Sequence, residues 1–298
     1  MTAYTLAHLS DPHLPPMPAA RLHQLAGKRA FGYLNWKRNR HAIHRREVLD
    51  LLVADMQAHQ PDHIAITGDL VNLALPAEFA PARRWLHSVG PADRVTVVPG
   101  NHDAYVQSTR HHFGREFADY LCGDEATAGS MQFPFVRHRG PLALIGVSTA
   151  VPTAPLLATG KIGAAQFQAL DRLLRQLADT QSFRVLLIHH PLRSDHHGRF
   201  KRLTDADELL TALRRHGVDL ILHGHDHVHS TMWFDGPNGR IPAIGAPSAS
   251  AVAHGHHPAA AYNMFSIERD GSGWRCEQGV RGLLRADHIG DVRRVRLF

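Results

Sequence analysis

Short apolar runs alternate along the chain with stretches of helical period, and the apolar runs share one habit: they stop at polar clusters. Residues 5–9 predict a strand ending at Ser10-Asp11-Pro12-His13. Residues 44–59 predict a helix, because Val48, Leu51, Leu52 and Met56 fall on one face. A strand over 63–67 stops at Gly68-Asp69, a helix over 77–88 has Pro81 near its first turn, and a strand over 94–98 ends at Pro99-Gly100-Asn101-His102-Asp103. A fainter helical pattern covers 104–121. Then come a strand over 142–148, a helix over 164–178, a strand over 183–188 ending at His189-His190-Pro191, and a helix over 205–216. A strand over 218–222 ends at His223-Gly224-His225-Asp226-His227, and 229–279 reads as strands and turns punctuated by Gly and Pro.

Strands alternating with helices predict an α/β fold. In open α/β sheets ligands sit beyond the carboxyl ends of the strands, where loops converge. The polar clusters are therefore expected to meet in space. No internal repeat or low-complexity tract points to a solenoid.

Composition narrows the partners. At 298 residues and 44% hydrophobic, the chain can bury a substantial core. Its longest apolar runs are strand-sized, far short of the roughly 20 residues of a membrane span, and its start is a poor signal peptide. Two cysteines, Cys122 and Cys276, are too few for a disulfide framework or a thiolate metal site. The expected location is cytoplasmic. A net charge of +6 favours anionic partners, and 25 histidines supply imidazole, the commonest metal ligand among side chains. Outside motifs, most of those histidines read as surface residues.

The clusters differ in sharpness. Asp11 and His13, two apart on an extended segment, lie on one side of it. Gly68 lets the chain turn so that Asp69 can face a cleft. Asn101 is a legitimate oxygen ligand, and the neighbouring His102-Asp103 pair suits an oriented imidazole. His225 and His227 again place two imidazoles two apart, with Gly224 giving room.

In this order the clusters resemble the calcineurin-like metallophosphoesterase family: Asp11-Pro12-His13, Gly68 to Asn72, Gly100 to Asp103, His189 to Pro191 and Gly224 to His227. The resemblance implies a four-layer α/β/β/α sandwich of two mixed β-sheets with the metal site at one edge. It implies that Asp11, His13 and His227 hold one metal, that Asn101, His189 and His225 hold a second, and that Asp69 bridges them. Oxygen and nitrogen ligands without thiolate point to Mn, Fe or Zn, divalent or trivalent. The expected activity is a metal-dependent phosphoesterase, a phosphodiesterase, in which a metal-bridging hydroxide attacks phosphorus in line. His102 would bind the phosphoryl oxygen or protonate the leaving group, oriented by Asp103. Asn72 is expected to support the ligands, and His190 and His223, which flank them, to be bystanders or supports and not further ligands. His111-His112, His196-His197 and His256-His257 sit in no motif; His196-His197 could reach substrate or lie in a solvated loop.

No acidic residue lies between Asp11 and Glu47, where Arg21, Lys28, Arg29, Lys37, Arg38, Arg40, Arg45 and Arg46 are interleaved with Phe31, Tyr33 and Trp36. Such a segment suits an anionic membrane surface or a large anionic substrate, or else a cap whose aromatics pack inward. The expected organisation is a phosphoesterase domain over 1–279, with 14–46 as a basic insertion or cap and 280–298 as a basic C-terminal extension. The expected partner is a phosphorylated small molecule or a lipid-linked substrate, with peripheral contact to an anionic membrane and no nucleic acid. Two alternatives stand beside the diesterase: a membrane-surface pyrophosphatase acting on a lipid-linked nucleotide such as UDP-diacylglucosamine, and a non-catalytic metal-binding scaffold.

Overall fold

The computed structural model describes residues 3–126, 131–193, 198–271 and 273–298. His196 and His197 lie outside the described residues. Among the described residues, twelve strands form two mixed six-stranded sheets. The first contains β1 (Tyr4–Leu9), β2 (His63–Ile66), β3 (Val95–Val97), β10 (Ala261–Asp270), β11 (Gly273–Arg285) and β12 (His288–Arg296), in the order β12-β11-β10-β1-β2-β3. The second contains β4 (Phe135–Arg139), β5 (Leu142–Gly146), β6 (Phe183–Leu187), β7 (Leu220–His223), β8 (Ser230–Gly236) and β9 (Gly239–Gly245), in the order β4-β5-β6-β7-β9-β8. β1, β2 and β3 are parallel, as are β5, β6, β7 and β9; β10 to β12, β4 and β8 pair antiparallel.

The helices are α1 (Lys28–Asn35), α2 (His41–Ile43), α3 (Arg46–Ala58), α4 (Pro76–Val89), α5 (Arg110–Phe117), α6 (Ala164–Ala178) and α7 (Ala206–His216). Side chains alternate across a strand, and that period of two builds the layers. Leu142 and Leu144 of β5 and Val185 and Leu187 of β6 face Leu6, Phe265 and Ile267 of the other sheet. Their neighbours Ala143, Ile145 and Leu186 pack instead on Leu170, Leu174, Leu209 and Leu213 of α6 and α7. Ala7, Leu9, Ile64 and Val97 turn the other way, onto Leu49 and Leu52 of α3 and Phe79 and Trp85 of α4. The result is the α/β/β/α sandwich expected from the sequence. Strands buried on both faces read as unbroken apolar runs, which is why they are visible as such. Among the described residues, no helix is long and apolar enough to cross a membrane.

Three expectations change. Residues 280–298 are not an extension: Val280, Arg281 and their neighbours pair with Arg293 and Asp291, so this stretch completes the first sheet as its edge. The helix expected over 44–59 begins at Arg46, and His44 and Arg45 are extended. The 104–121 pattern breaks into short turns around an eight-residue helix.

Candidate metal centre

Five parallel strands deliver the predicted ligands at their carboxyl ends. β1 leads to Asp11 and His13, β2 to Asp69, β3 to Asn101, β6 to His189, and β7 to His225 and His227. Within the second sheet the Gly224 amide donates to the His189 carbonyl, and the two sheets meet where the His225 amide donates to Asp11 Oδ2 at 3.0 Å. Turning each chain so sharply requires a left-handed backbone, with φ of 51° at Asp11, 37° at His13, 55° at Asp69, 71° at His225 and 55° at His227. Such conformations cost free energy in non-glycine residues and gather at functional sites. The loops also stack closely. A Cβ on Gly100 would overlap Asp69, and one on Gly224 would overlap Ser10 Oγ and Asp11 Oδ2.

The side chains form two groups around Asp69. On one side, His227 Nε2 lies 3.1 Å from Asp11 Oδ1 and 3.2 Å from His13 Nε2. On the other, Asn101 Oδ1 lies 3.1 Å from His189 Nε2 and 2.9 Å from His225 Nδ1. Asp69 Oδ2 sits between them, 3.7 Å from His13 Nε2 and 3.4 Å from His189 Nε2. All of these except half-buried His227 are buried.

The protonation chemistry of this set calls for cations. A carbonyl only accepts, so His13 Nδ1 donates to Val71 O, His189 Nδ1 to Thr67 O and His225 Nε2 to Lys201 O. In a neutral ring the opposite nitrogen then carries a lone pair: that of His13 faces His227 and the Arg40 guanidinium, and that of His225 faces the Asn101 amide oxygen. Burial, with the charges of Arg40 and neighbouring imidazoles, holds His13 well below its ordinary pKa. Burial and the neighbouring histidines do the same for His225. Burial would lower His189 as well, but Asp69 and Asp11 push it up to about 10. Burial raises Asp69, yet His189 and His102 hold it well below the usual carboxylate range. Clustered lone pairs and ionised carboxylates out of contact with water are unfavourable unless positive charge lies among them. The residues present fit a pair of metal ions.

His102 is close by, half-buried, with its amide donating to Asp69 Oδ1 at 2.7 Å. Its Nδ1 donates to the carbonyl of Asn72, so Nε2 faces the cavity and accepts from Arg40 Nη1 at 3.2 Å. Burial and then Arg40 push it down to about 4. Asp103 was expected to orient this ring, and it does not. Its carboxylate accepts from the amides of Gly100 and Val71, clamping the two ligand loops together. Adjacent residues in a turn project in different directions, so neighbours in sequence need not face each other. Asn72 donates to the His13 and Leu14 carbonyls, in keeping with its expected support. His190 is fixed between Thr149 Oγ1 and the Ala158 carbonyl, and His223 contacts Ser230.

Sequence reasoning missed several residues. His44 packs edge-on to His13 with ring centroids 4.8 Å apart. Arg40, Lys28, Tyr105, Lys201 and His257 line the same cavity of about 400 Å³ as Asp69, Asn101, His102, His225 and His227. Arg40 and Lys28 stood in the sequence as members of a basic run with nothing to single them out. His112, from another unassigned pair, stacks on Phe79.

The family model described as calcineurin-like phosphoesterase matches residues 4–229. A probable cyclic nucleotide phosphodiesterase of Synechococcus sp. is 25% identical over 231 residues, spanning 75% of this chain and 78% of that protein. A dimetal phosphatase from Danio rerio superposes with a TM-score of 0.61 at 14% identity, covering 100% of this chain and 99% of that one. A purple acid phosphatase from yellow lupin seeds gives 0.62 at 11% identity, covering 94% of this chain and 52% of that one. At these identities the two structures share the fold with this chain.

Proposed function

The chain belongs to the calcineurin-like phosphoesterase family, hydrolases of phosphoric esters that depend on metal, and on that premise we propose that it is a phosphodiesterase acting on a small, soluble diester. Asp11, His13 and His227 would hold one metal ion, Asn101, His189 and His225 a second, and Asp69 both. Ions held there supply Lewis acidity and neutralise charge gathering at phosphorus, and Mn, Fe and Zn all suit the donor set.

The protein's own groups do the rest. The glycine-permitted contact of the two sheets fixes the ligand atoms before substrate arrives, so little reorganisation is needed. The Asn72 carbonyl fixes the His102 ring and leaves Nε2 as the atom that meets substrate. An anionic phosphoryl oxygen beside Nε2 favours its protonated form. That proton can then pass to the leaving oxygen, a step worth roughly 10²–10⁴-fold in rate. The diester preference is supported by the cyanobacterial relative, which is described as a probable cyclic nucleotide phosphodiesterase.

The single observation that carries this reading is the pairing of two ligand groups about Asp69 Oδ2, with His102 on the same cavity. The test is hydrolysis of an activated aryl phosphodiester and the matching monoester, with Mn, Fe or Zn supplied. The expected result is faster turnover of the diester, lost in Asp69→Ala and His225→Ala. Absence of turnover with every metal, or a marked preference for the monoester, would contradict it.

A further inference from the structure

Arg40 is the last residue of a wide helical turn, Trp36–Arg40, in the segment between β1 and α3. The segment is fastened to the site from two directions. Arg29 is buried and donates to the carbonyls of Leu73 and Ala74, just beyond the Asn72 carbonyl that orients His102. Lys28 Nζ donates to Thr153 Oγ1 and to the Leu157 carbonyl on the opposite wall. Gly32 lies against Tyr105, where a Cβ would strike the phenol oxygen, and Tyr105 stacks on His102 with centroids 5.3 Å apart. Arg40 is thus placed relative to His102 by the same contacts that dock the segment.

A guanidinium carries five donors in a planar fork that matches carboxylate or phosphate. Among the described residues, Arg40 donates to imidazoles: Nη2 to His13 Nε2 at 2.7 Å and Nη1 to His102 Nε2 at 3.2 Å. Neutral imidazoles are weak partners for a partly buried cation, and charge-assisted pairs are roughly twice as strong. His13 Nε2 is moreover one of the atoms of the metal-ligand set. It cannot serve Arg40 and a metal ion together, so loading the site frees the Nη2 donors toward the cavity. Asp69 and Asp11 act on this charge from nearby, but among the described residues no carboxylate is hydrogen-bonded to the fork, and the cavity it faces is the one that holds His102 and Asp69.

We propose that Arg40 is a phosphate-binding residue: its guanidinium holds non-bridging phosphoryl oxygens of the substrate against His102. The segment from Lys28 to Arg40 is on this account a wall of the active site. Lys28, already engaged with Thr153 and Leu157, serves to fasten that wall. The inference rests on the phosphoesterase reading of the same site, and the two can fail separately.

The test is titration calorimetry of inorganic phosphate into manganese-loaded protein, beside metal content by mass spectrometry and KM for an aryl phosphodiester. Arg40→Ala is expected to retain its metal while phosphate affinity falls on the order of 10- to 100-fold, the effect of losing a charged hydrogen bond. KM should rise with it. Arg40→Lys, which keeps the charge and loses the fork, should recover part of the affinity and guards against a folding defect in the alanine variant. Arg38→Ala, which removes an exposed charge two residues away, should bind phosphate as the wild type does. Wild-type phosphate affinity in Arg40→Ala would overturn the proposal. So would affinity that is lost with the metal and fully restored by saturating manganese, since Arg40 would then only balance charge in the metal-free protein. Loaded wild-type protein that binds no phosphate would count against it too. Protein that binds phosphate through Arg40 but hydrolyses no ester would sink the phosphoesterase reading alone.

Discussion

At the scale of single residues, the cluster of candidate ligands was legible because metal ligation needs particular residue types at particular spacings. Asp11 and His13, Asn101 in its Gly-Asn-His-Asp setting, and His225 and His227 all reach one place. Arg40 and His44 carried no such pattern. An arginine in a basic run gains meaning only when the fold brings it 2.7 Å from a histidine 27 positions away. Asp103 was misread for the reverse reason, since proximity in sequence suggested a contact that the turn does not make. Glycine spacing carried more information than it first showed. Gly224 gives room for Ser10 and Asp11 from the other sheet to approach. Gly224→Ala should push Asp11 Oδ2 from its place and weaken metal binding by about 10- to 100-fold, the usual cost of disturbing groups that orient a ligand. Competition with a chelator measures this, and unchanged affinity would show that the loop yields.

At the scale of elements, segments with strong periodicity were read well. The helix expected over 164–178 is α6, residue for residue, because its apolar stripe of Leu170, Leu174 and Leu177 is complete. α1 had no such stripe: Arg29, Lys28 and Gly32 dock it through hydrogen bonds and close contact, which hydropathy does not record. β12 was missed because an edge strand rich in arginine resembles a tail, and charge on an edge discourages pairing with other chains. One of those arginine-rich strands makes a specific joint. Arg281 of β11 donates from Nε and Nη2 to Asp55 of α3, each at 2.8 Å, and Tyr262 of β10 donates to the same carboxylate. Burial alone would raise the pKa of Asp55, but the bonds from Arg281 and Tyr262 hold it down. A carboxyl depressed in the folded state stabilises the protein above its unfolded pKa of about 3.9, and that contribution is lost as pH falls through the folded value. Asp55→Asn should therefore cost about 1–3 kcal/mol at pH 7. Its deficit relative to wild type should shrink below about pH 4 as the wild-type carboxyl protonates. Urea unfolding at the two pH values decides this, and a deficit independent of pH would refute it.

At the scale of the whole molecule, the four layers follow from strands that are apolar on both faces. The site follows from where those strands end. Three strands of one sheet and two of the other direct their carboxyl ends to a common edge, and neither sheet alone carries the full set. The family model stops at residue 229, yet β10, β11 and β12 complete the first sheet beyond it, with β10 paired along β1 from Tyr4 to His8. The C-terminal strands thus hold in register the strand that leads to Asp11 and His13. Charge was legible as a net +6 and as a basic run from Arg21 to Arg46, but which of those residues, Lys28 and Arg40, line the cavity is a property of the fold. The most direct test of the central claim is an anomalous-difference map from crystals soaked in manganese or zinc. Two peaks roughly 3.5–4 Å apart, one on either side of the Asp69 carboxylate, are predicted. No peak there, or ordered metal bound elsewhere while this cluster stays empty, would contradict it.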